Sequence, residues 1–299
     1  MKSKIYIKMI CIIIIGVFLA TSTLNVKDLD PKSIDNDLNE GLTLSKVSGK
    51  IHINNNWSDT KTAGICTGSG TTSNPYLIED LEIDGGAVGS CILIENSNDH
   101  FMILNCSFTN SEDDFLMREA GIKLVNSSNG RLINNTFSNQ NGVAIYLYYS
   151  NDTTLIGNSM TSNHIIGLRV VQCHNILGYL NNFRGQTAPA FFEDTTYRWF
   201  SERKITYIYN GRTYTRFMGS YWSGHSGEDN NGDGIEDEPL IWTDGDVQHL
   251  IDQYPLIDPI ENYQIIGFAS GDAVPGYNLL LLIGILSVVS VIIIKKIMK

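Results

Sequence analysis

Gly-Ile-Lys-Leu-Val-Asn-Ser, at residues 121–127, begins a pattern that returns every 23 residues along the middle of the chain. Three sets of positions keep this spacing: Ile122, Ile145 and Leu168; Asn135, Asn158 and Asn181; and Phe137, Met160 and Phe183. An earlier copy at residues 92–97 precedes the quoted stretch by 30 residues. A period in the low twenties, with short alternating runs between Asn and Gly corners, predicts a solenoid of short strands.

We therefore predict an all-β protein, a right-handed parallel β-helix in which each repeat forms one coil. Alternate strand residues point inward, so Phe137, Met160 and Phe183 are expected to stack inside the helix. The three repeated asparagines are expected to stack at a corner, where side-chain amides can pair along the axis. Leucine-rich repeats share the period, but their Leu-x-x-Leu-x-Leu frame is missing, and helical repeats need longer units.

Conspicuous strings flank the repeat on both sides. Those before it are Gly68-Ser69-Gly70-Thr71 and Asn74-Pro75-Tyr76-Leu77-Ile78-Glu79, and those after it are Gly219-Ser220-Tyr221-Trp222-Ser223 and Asp252-Gln253-Tyr254-Pro255-Leu256. Together they resemble the NosD-like β-helix proteins, the "carbohydrate-binding and sugar hydrolysis" repeat group of archaeal cell surfaces. The resemblance covers roughly residues 51–256 and implies a right-handed parallel β-helix. The family is named after a periplasmic protein that serves copper-site maturation, but most members have no established activity.

The two ends of the chain predict export and a membrane anchor. Three lysines, an uncharged run at residues 9–20 and small polar residues have the form of a secretory signal. Residues 279–294 are apolar apart from one Gly and two Ser, and three lysines follow, as expected for a short spanning helix with a cytoplasmic tail. The tail also resembles archaeal sorting tails, which are cut and replaced by a lipid, so a retained helix and a lipid anchor both stay open.

Composition divides the chain into seven segments. These are a signal peptide at 1–22, a linker at 23–50, an N-terminal cap with the first strands at 51–90, β-helix coils at 91–184, a hairpin cap with a calcium-type loop at 185–258, a linker at 259–276, and a transmembrane helix with a cytoplasmic tail at 277–299.

Charge and cysteine content limit the partners of the exported part. The chain carries 21 Lys and Arg against 32 Asp and Glu, a formal charge of −11, which disfavours nucleic acid as a partner. Cys66, Cys91, Cys106 and Cys173 could form two disulfides, but no spacing selects a pairing. The sequence shows neither a CxxC metal motif nor a row of His, Met or Cys that would support copper.

A calcium loop is the clearest metal motif of the sequence. Residues 229–237 place oxygen ligands at alternate positions around a central Gly, a spacing that lets one chain segment wrap a hard cation. The expected ligands are Asp229, Asn231, Asp233, the Ile235 carbonyl and Asp237. Position 12 is Leu240 where an EF-hand has Glu, so we expect a weak, structural Ca²⁺ site.

A second candidate site follows from the repeat spacing. Lys123, Tyr146 and Arg169 are 23 residues apart, each between inward-facing apolar residues, so they should point outward in one column. Two bases beside a tyrosine suit an acidic sugar, and similar residues serve parallel β-helix polysaccharide lyases and uronate epimerases. The accompanying Asp-Pro-His-Asp and Gly-His-Gly strings of related enzymes are missing, and ordinary solvent-facing side chains remain the alternative.

Two further features concern the surface. N-x-S/T sequons, which Asn-rich loops also produce by chance, predict acceptors for N-linked glycans at Asn56, Asn105, Asn126, Asn134 and Asn151. Asn210-Gly211 predicts a hairpin with Tyr207, Tyr209 and Tyr214, either a plug over the open end of the solenoid or a platform for sugar stacking.

Three functions are compatible with this sequence. The first is a membrane-tethered extracellular protein without enzymatic activity, which binds glycans or surface proteins or supports the envelope. The alternative is a polysaccharide lyase or uronate epimerase that acts on acidic glycans through the Lys123 column. The third is the copper-associated periplasmic role that the resemblance implies.

Overall fold

Three parallel sheets form a β-helix in the computed structural model, which describes residues 46–112, 118–161, 166–185, 188–244 and 247–269. Each coil contributes one strand to each sheet, and equivalent strands of successive coils pair in parallel. The predicted all-β parallel β-helix is therefore confirmed.

Strand bounds follow the three sheets in turn. Sheet A contains β1 (Lys46–Ser48), β4 (Leu81–Asp84), β7 (Ser107–Thr109), β10 (Thr136–Ser138), β13 (Ser159–Thr161), β16 (Asn182–Arg184) and β21 (Tyr221–Trp222). Sheet B contains β2 (Ile51–Asn54), β5 (Ile92–Glu95), β8 (Ala120–Val125), β11 (Val143–Tyr148), β14 (Ile166–Val171) and β17 (Ala188–Glu193). Sheet C contains β3 (Tyr76–Glu79), β6 (Phe101–Leu104), β9 (Gly130–Ile133), β12 (Thr154–Ile156), β15 (Ile176–Tyr179) and β18 (Tyr197–Arg198).

The solenoid is longer than the predicted coil region of residues 91–184. Its first coil begins at β2 and its last ends at β21, which gives six coils among the described residues. The first and the last of these coils contain insertions, so the repeat pattern of the sequence did not predict them. Glu95 lies 41 residues after its neighbour Asn54, and Ser220 lies 39 residues after Asn181, so the step of 23 fails at both ends.

Inward-facing side chains stack from coil to coil. Phe137, Met160 and Phe183 are aligned neighbours in sheet A and are fully buried, as predicted. Phe108 extends the stack on one side at 4.9 Å from Phe137, and Trp222 extends it on the other at 4.1 Å from Phe183. This continuous apolar column supplies the core that no single coil could form alone.

Two corners are held by ladders of side chains that accept from the backbone. At the corner before sheet A, the N–H of Asn135 donates to Asn158 Oδ1 at 3.0 Å, and the N–H of Asn158 donates to Asn181 Oδ1 at 2.9 Å. At the corner after sheet B, the same part is played by hydroxyl and thiol groups of Ser127, Ser150, Cys173 and Thr195. The predicted amide stack is confirmed, and its physical role is to satisfy buried backbone donors.

Tryptophans close the ends of the core. Helix α1 (Trp57–Thr62) places the Trp57 ring 4.7 Å from Tyr76 and 5.4 Å from Phe101. At the other end, Trp199 is buried with Trp222, and Leu240 of a two-stranded hairpin joins the same cluster. That hairpin is formed by β22 (Leu240–Asp244) and β23 (Val247–Asp252).

The predicted tyrosine hairpin lies on the side of the solenoid. Strands β19 (Ile205–Tyr209), β20 (Arg212–Arg216) and β24 (Gln264–Phe268) form one sheet, and a 3₁₀ turn at Ile260–Asn262 precedes β24. Its side chains share a cluster with Leu177 and Tyr179 of sheet C. Leu177 and Tyr179 alternate with the inward-facing Ile176, so the hairpin covers the outer face of sheet C and does not plug the open end.

The described residues include no helix that is long and apolar enough to cross a membrane. The predicted signal peptide at 1–22 and spanning helix at 277–299 both lie outside the described residues.

Candidate functional site

A groove of about 360 Å³ runs along the corner that follows sheet B. It crosses four successive coils, because its members are stacked one coil apart. The lining residues are Asn126, Tyr149, Asn151, Gln172, His174 and Asp194. Amide, imidazole, carboxylate and phenol groups thus converge on one open surface.

Tyr149 is the unusual member of this corner. Asn126, Gln172 and Asp194 occupy the same place in neighbouring coils, and all four residues have a left-handed backbone, with φ of 48° at Tyr149. Asn adopts that conformation at little cost, whereas a bulky aromatic residue is strained by about 1 kcal/mol. Strained residues cluster at functional sites, which makes Tyr149 a candidate.

The Tyr149 side chain is largely accessible to solvent. Tyr149 is 48% exposed, one of the large hydrophobic residues most open to solvent in the described part of the chain. Its ring meets the edge of Tyr148 at 4.5 Å, and Tyr148 in turn lies 6.0 Å from Tyr146. Tyr149 thus contacts Tyr148 and still lines the groove.

Neighbouring polar groups are held in place by the coil. Asn151 Oδ1 accepts from the backbone N–H of His174 at 2.7 Å, and Asn126 Nδ2 donates to Asn96 Oδ1 at 3.0 Å. These bonds orient the two side chains before any ligand arrives. The groove is therefore preorganised, which lowers the entropic cost of binding.

Sequence reasoning did not single out this groove, although a signal was present. Asn126, Tyr149 and Gln172 keep the 23-residue step, and Tyr149 interrupts a series of small polar corner residues. A search for bulky residues at the repeat positions otherwise occupied by small polar residues would have detected Tyr149.

The predicted column of Lys123, Tyr146 and Arg169 lies in register, and its side chains already contact neighbouring residues of the protein. Tyr146 pairs with Lys123 on one side and with Arg169 on the other in sheet B. Lys123 Nζ lies 2.7 Å from Glu119 Oε1, and the Arg169 guanidinium lies 5.1 Å from the centre of the Tyr146 ring. Tyr146 is only 6% exposed, and burial raises the pKa of its phenol. The alignment is confirmed, and the binding role of the column stays a prediction.

The calcium-type loop has its oxygen ligands turned toward its own backbone. Asp229 accepts from the N–H groups of Asp233 and Gly234 at 3.1 and 2.8 Å, and Asn231 Oδ1 accepts from Asp233 at 3.0 Å. Asp233 is nearly buried, and its Oδ2 lies 2.9 Å from Arg216 Nε. Hydrogen bonds from Asn230 lower the pKa of Asp237, which keeps this carboxylate ionised.

Tyrosines of the lateral sheet hold this loop. Tyr207 Oη donates to the Asp233 carbonyl at 2.7 Å, and Tyr214 Oη donates to the Gly232 carbonyl at 2.8 Å. Tyr263 donates to the Gly234 carbonyl. Tyr207 is fully buried, so the aromatic face packs on the loop and does not form a sugar-stacking platform.

The strings that follow the repeat meet at Asp252. Its fully buried carboxylate accepts from Ser220 N–H and Trp222 Nε1 at 2.8 and 2.9 Å, and from Tyr254 N–H at 3.0 Å. Burial raises the pKa of Asp252 to about 7, and the nearby charge of Glu236 adds to the effect. Asp252 thus joins the last solenoid strand to the segment that follows it.

The four described cysteines are free and buried, in separate places. Burial raises the pKa of Cys91 to about 12 and of Cys106 and Cys173 to about 11. A buried, protonated thiol is a poor ligand for a metal ion. Within the described ranges, no three His, Cys, Asp or Glu side chains are grouped to hold a metal, so these residues do not fit a copper site.

The sequon asparagines differ in how their side chains are engaged. The amides of Asn105 and Asn134 donate to Asp80 Oδ1 and Asn105 Oδ1, and Asn126 donates to Asn96. Asn56 is exposed near α1 and accepts from Asn54 N–H. Asn151, as described, lines the groove. Glycosylation at these five positions stays a prediction.

The geometry defines a parallel β-helix with a polar, aromatic groove at one corner. The family model described as "Periplasmic copper-binding protein (NosD)" matches residues 69–227, more than half of the chain. The chain therefore belongs to the NosD family. No curated protein and no solved structure matches the chain.

Proposed function

We propose that this protein is an exported, membrane-tethered β-helix that binds glycan chains in the Tyr149 groove without modifying them. The observation that carries the proposal is the exposed Tyr149 side chain, held on a left-handed backbone among preorganised amides. Export is supported by the N-terminal sequence pattern and by the periplasmic description of the family. The tether is supported by the apolar stretch at residues 279–294.

The chemistry of the groove suits a neutral sugar. A pyranose offers an apolar C–H face, which stacks on an aromatic ring, and hydroxyl groups, which pair with amides and carboxylates. Binding sites commonly combine an aromatic surface with a few placed polar groups in this way. The coil spacing of about 4.8 Å is close to the advance per residue of an extended β-linked polysaccharide, so successive corners can contact successive sugars.

Acidic glycans are the second candidate ligand, through Lys123, Tyr146 and Arg169. That column carries two bases, whereas no Lys or Arg lines the groove. Lys123 is already paired with Glu119, however, and little of Tyr146 is accessible. In a lyase or epimerase that used Tyr146 as the proton-transfer group of this column, the raised pKa of the nearly buried phenol would oppose its role as a base at neutral pH.

The copper-associated role is third. It is supported by the description of the family, but the buried thiols and scattered histidines of the described residues do not fit a copper site. Binding of a protein partner by the surface, or a purely structural role in the envelope, stands beside glycan binding as the outcome if no polysaccharide is bound.

We further propose that the loop at residues 229–237 binds Ca²⁺ in a structural role. Asp229, Asn231, Asp233, the Ile235 carbonyl and Asp237 would hold the ion. Because the carboxylates of this loop are not grouped as a metal site in the described residues, the loop would have to rearrange around the ion, and Arg216 would have to release Asp233 Oδ2. The ion would supply positive charge where Asp229, Asp233 and Asp237 repel one another.

The test of glycan binding is a native gel with the full-length chain in mild detergent. One gel contains hydroxyethylcellulose, a neutral β-linked glucan, a second contains polygalacturonate, and a third contains no polysaccharide. Retardation in the neutral gel alone is expected. Retardation by polygalacturonate alone would transfer binding to the Lys123 column, and a cleared zone in that gel would establish the enzymatic alternative. Unchanged mobility in both would refute glycan binding of either kind.

The matched variant is Tyr149→Asn, which gives this corner the residue found at Asn126. Because Asn tolerates the left-handed backbone, the variant is expected to be as stable as the parent or up to about 1 kcal/mol more stable. Retardation by the neutral glucan should nevertheless disappear. Lost binding in a fully stable protein cannot be attributed to misfolding.

A further inference from the structure

Cationic and aromatic side chains form a patch near the point where the described chain ends. Arg198 lies 5.7 Å above the Phe200 ring, Arg203 4.5 Å above Phe268, and Lys204 5.9 Å above Phe217. We call this set, with Tyr254, the basic aromatic patch.

Three of its rings are in mutual contact. Phe200 lies 5.9 Å from Phe217 and 5.2 Å from Tyr254, and Phe217 lies 5.5 Å from Tyr254. All four rings, including Phe268, are partly exposed. Partly exposed aromatic side chains are enriched at the headgroup region of a bilayer, where one end of the side chain is in an apolar environment and the other is in water.

The charge of the patch is opposite to that of the protein. Three of its side chains are bases on a chain of formal charge −11, and Arg198 pairs with Glu202 at 3.8 Å. Basic residues at a membrane surface are attracted by anionic lipids. An acidic protein with a basic patch therefore has one face that an anionic surface attracts.

The chain leaves the described structure at this patch. Ala269, its last described residue, donates its N–H to the Lys204 carbonyl at 2.9 Å. Eight residue steps separate Ala269 from Tyr277, where the predicted spanning segment begins, and they can reach at most about 28 Å. If that segment anchors the chain, the patch stays close to the bilayer.

We propose that the basic aromatic patch docks on the anionic phospholipid headgroups of the membrane and orients the β-helix on its surface. This proposal rests on the proposed tether. Docking would hold the last coil near the lipid and leave the outer faces of the earlier coils directed into the surrounding medium.

Hydrogen–deuterium exchange of the full-length chain, reconstituted in two kinds of vesicle, tests the patch. One vesicle is phosphatidylcholine alone, and the other contains phosphatidylglycerol as well. With phosphatidylglycerol, amides at residues 198–204 should exchange at least about threefold more slowly, whereas the exchange rates at residues 130–160 should not change. Equal exchange at 198–204 in both vesicles would overturn the proposal.

A charge-matched pair of variants separates docking from general electrostatics. Arg198→Glu with Lys204→Glu changes the net charge by −4 at the patch, and Lys50→Glu with Lys61→Glu makes the same change at the other end of the solenoid. The first pair should abolish the protection and the second should keep it; the reverse result contradicts the proposal. If the chain stays out of both bilayers the tether fails, and the same comparison with added vesicles still tests the patch.

Discussion

Replacement of Asn158 by Ala should cost about 3 kcal/mol of folding free energy, because it removes the middle member of the buried amide ladder. Asn158 Oδ1 accepts from the backbone N–H of Asn135 at 3.0 Å, and its Nδ2 donates to the Leu132 carbonyl at 2.8 Å. Asn158 is fully buried. Without the side chain, the Asn135 N–H loses its acceptor at a cost of about 1–3 kcal/mol, and each further lost bond costs about 1 kcal/mol.

Two further variants make this number specific. Asn54→Ala removes an exposed amide that donates to Glu95 Oε1 at 3.1 Å, and should cost less than about 1 kcal/mol because water replaces the bond. Asn158→Ser should recover part of the loss, since Ser220 Oγ already accepts from Asn181 N–H in the same ladder at 3.2 Å.

Urea unfolding at pH 7, followed by circular dichroism and by tryptophan fluorescence, measures all three variants. Coincident transitions of the two probes are needed, because a repeat protein can unfold in parts. If Asn158→Ala costs no more than Asn54→Ala, the buried ladder does not hold the corners, and the reasoning is wrong.

Three other outcomes follow from the structure. Millimolar Ca²⁺ should raise the melting temperature by about 2–4 °C over chelator, and Asp229→Ala should remove that difference; an equal melting temperature in both would end the calcium proposal. Because the pKa of Asp252 is raised to about 7 from 3.8, its proton stabilises the fold below pH 4 and this stability is lost as the pH rises to 7. The stability of the parent relative to Asp252→Asn should therefore decrease between pH 4.5 and 7.5, as urea midpoints will show. Iodoacetamide should alkylate the buried Cys91 and Cys106 slowly in the native protein, and should alkylate all four described cysteines in urea without reductant. Mass spectrometry measures the alkylation, and cysteines that stay unmodified in urea would indicate disulfides and contradict this prediction.

The regular part of the fold could be predicted because its physical cause repeats with the sequence. A step of 23 residues places Asn135, Asn158 and Asn181 in one line, and hydrogen bonding along that line requires an acceptor side chain in each coil. The outer coils could not be counted in this way. The helix α1 and the lateral sheet are inserted within them, and an insertion changes the step without changing the stacking of the strands.

The position of the lateral sheet depended on tertiary contacts. Asn210-Gly211 indicates a hairpin, and Tyr207 and Tyr214 indicate an aromatic face, but neither indicates what the face covers. Its partners are the carbonyl groups of the 229–237 loop and the outward side chains of sheet C, which are distant in sequence. Long-range packing places the hairpin on the outer face of sheet C, which is neither of the two interpretations that the sequence left open.

The two candidate sites differ for a reason that alternation alone does not contain. Alternation places Lys123, Tyr146 and Arg169 on the outer face of sheet B, and this is confirmed, but an outward direction does not ensure access. In the middle of a sheet, long neighbouring side chains pair with one another and cover Tyr146. At the corner after sheet B, the backbone turns and Tyr149 remains exposed. In a parallel β-helix whose sheet faces carry large side chains, ligand sites are therefore to be sought where bulky residues occupy the corners.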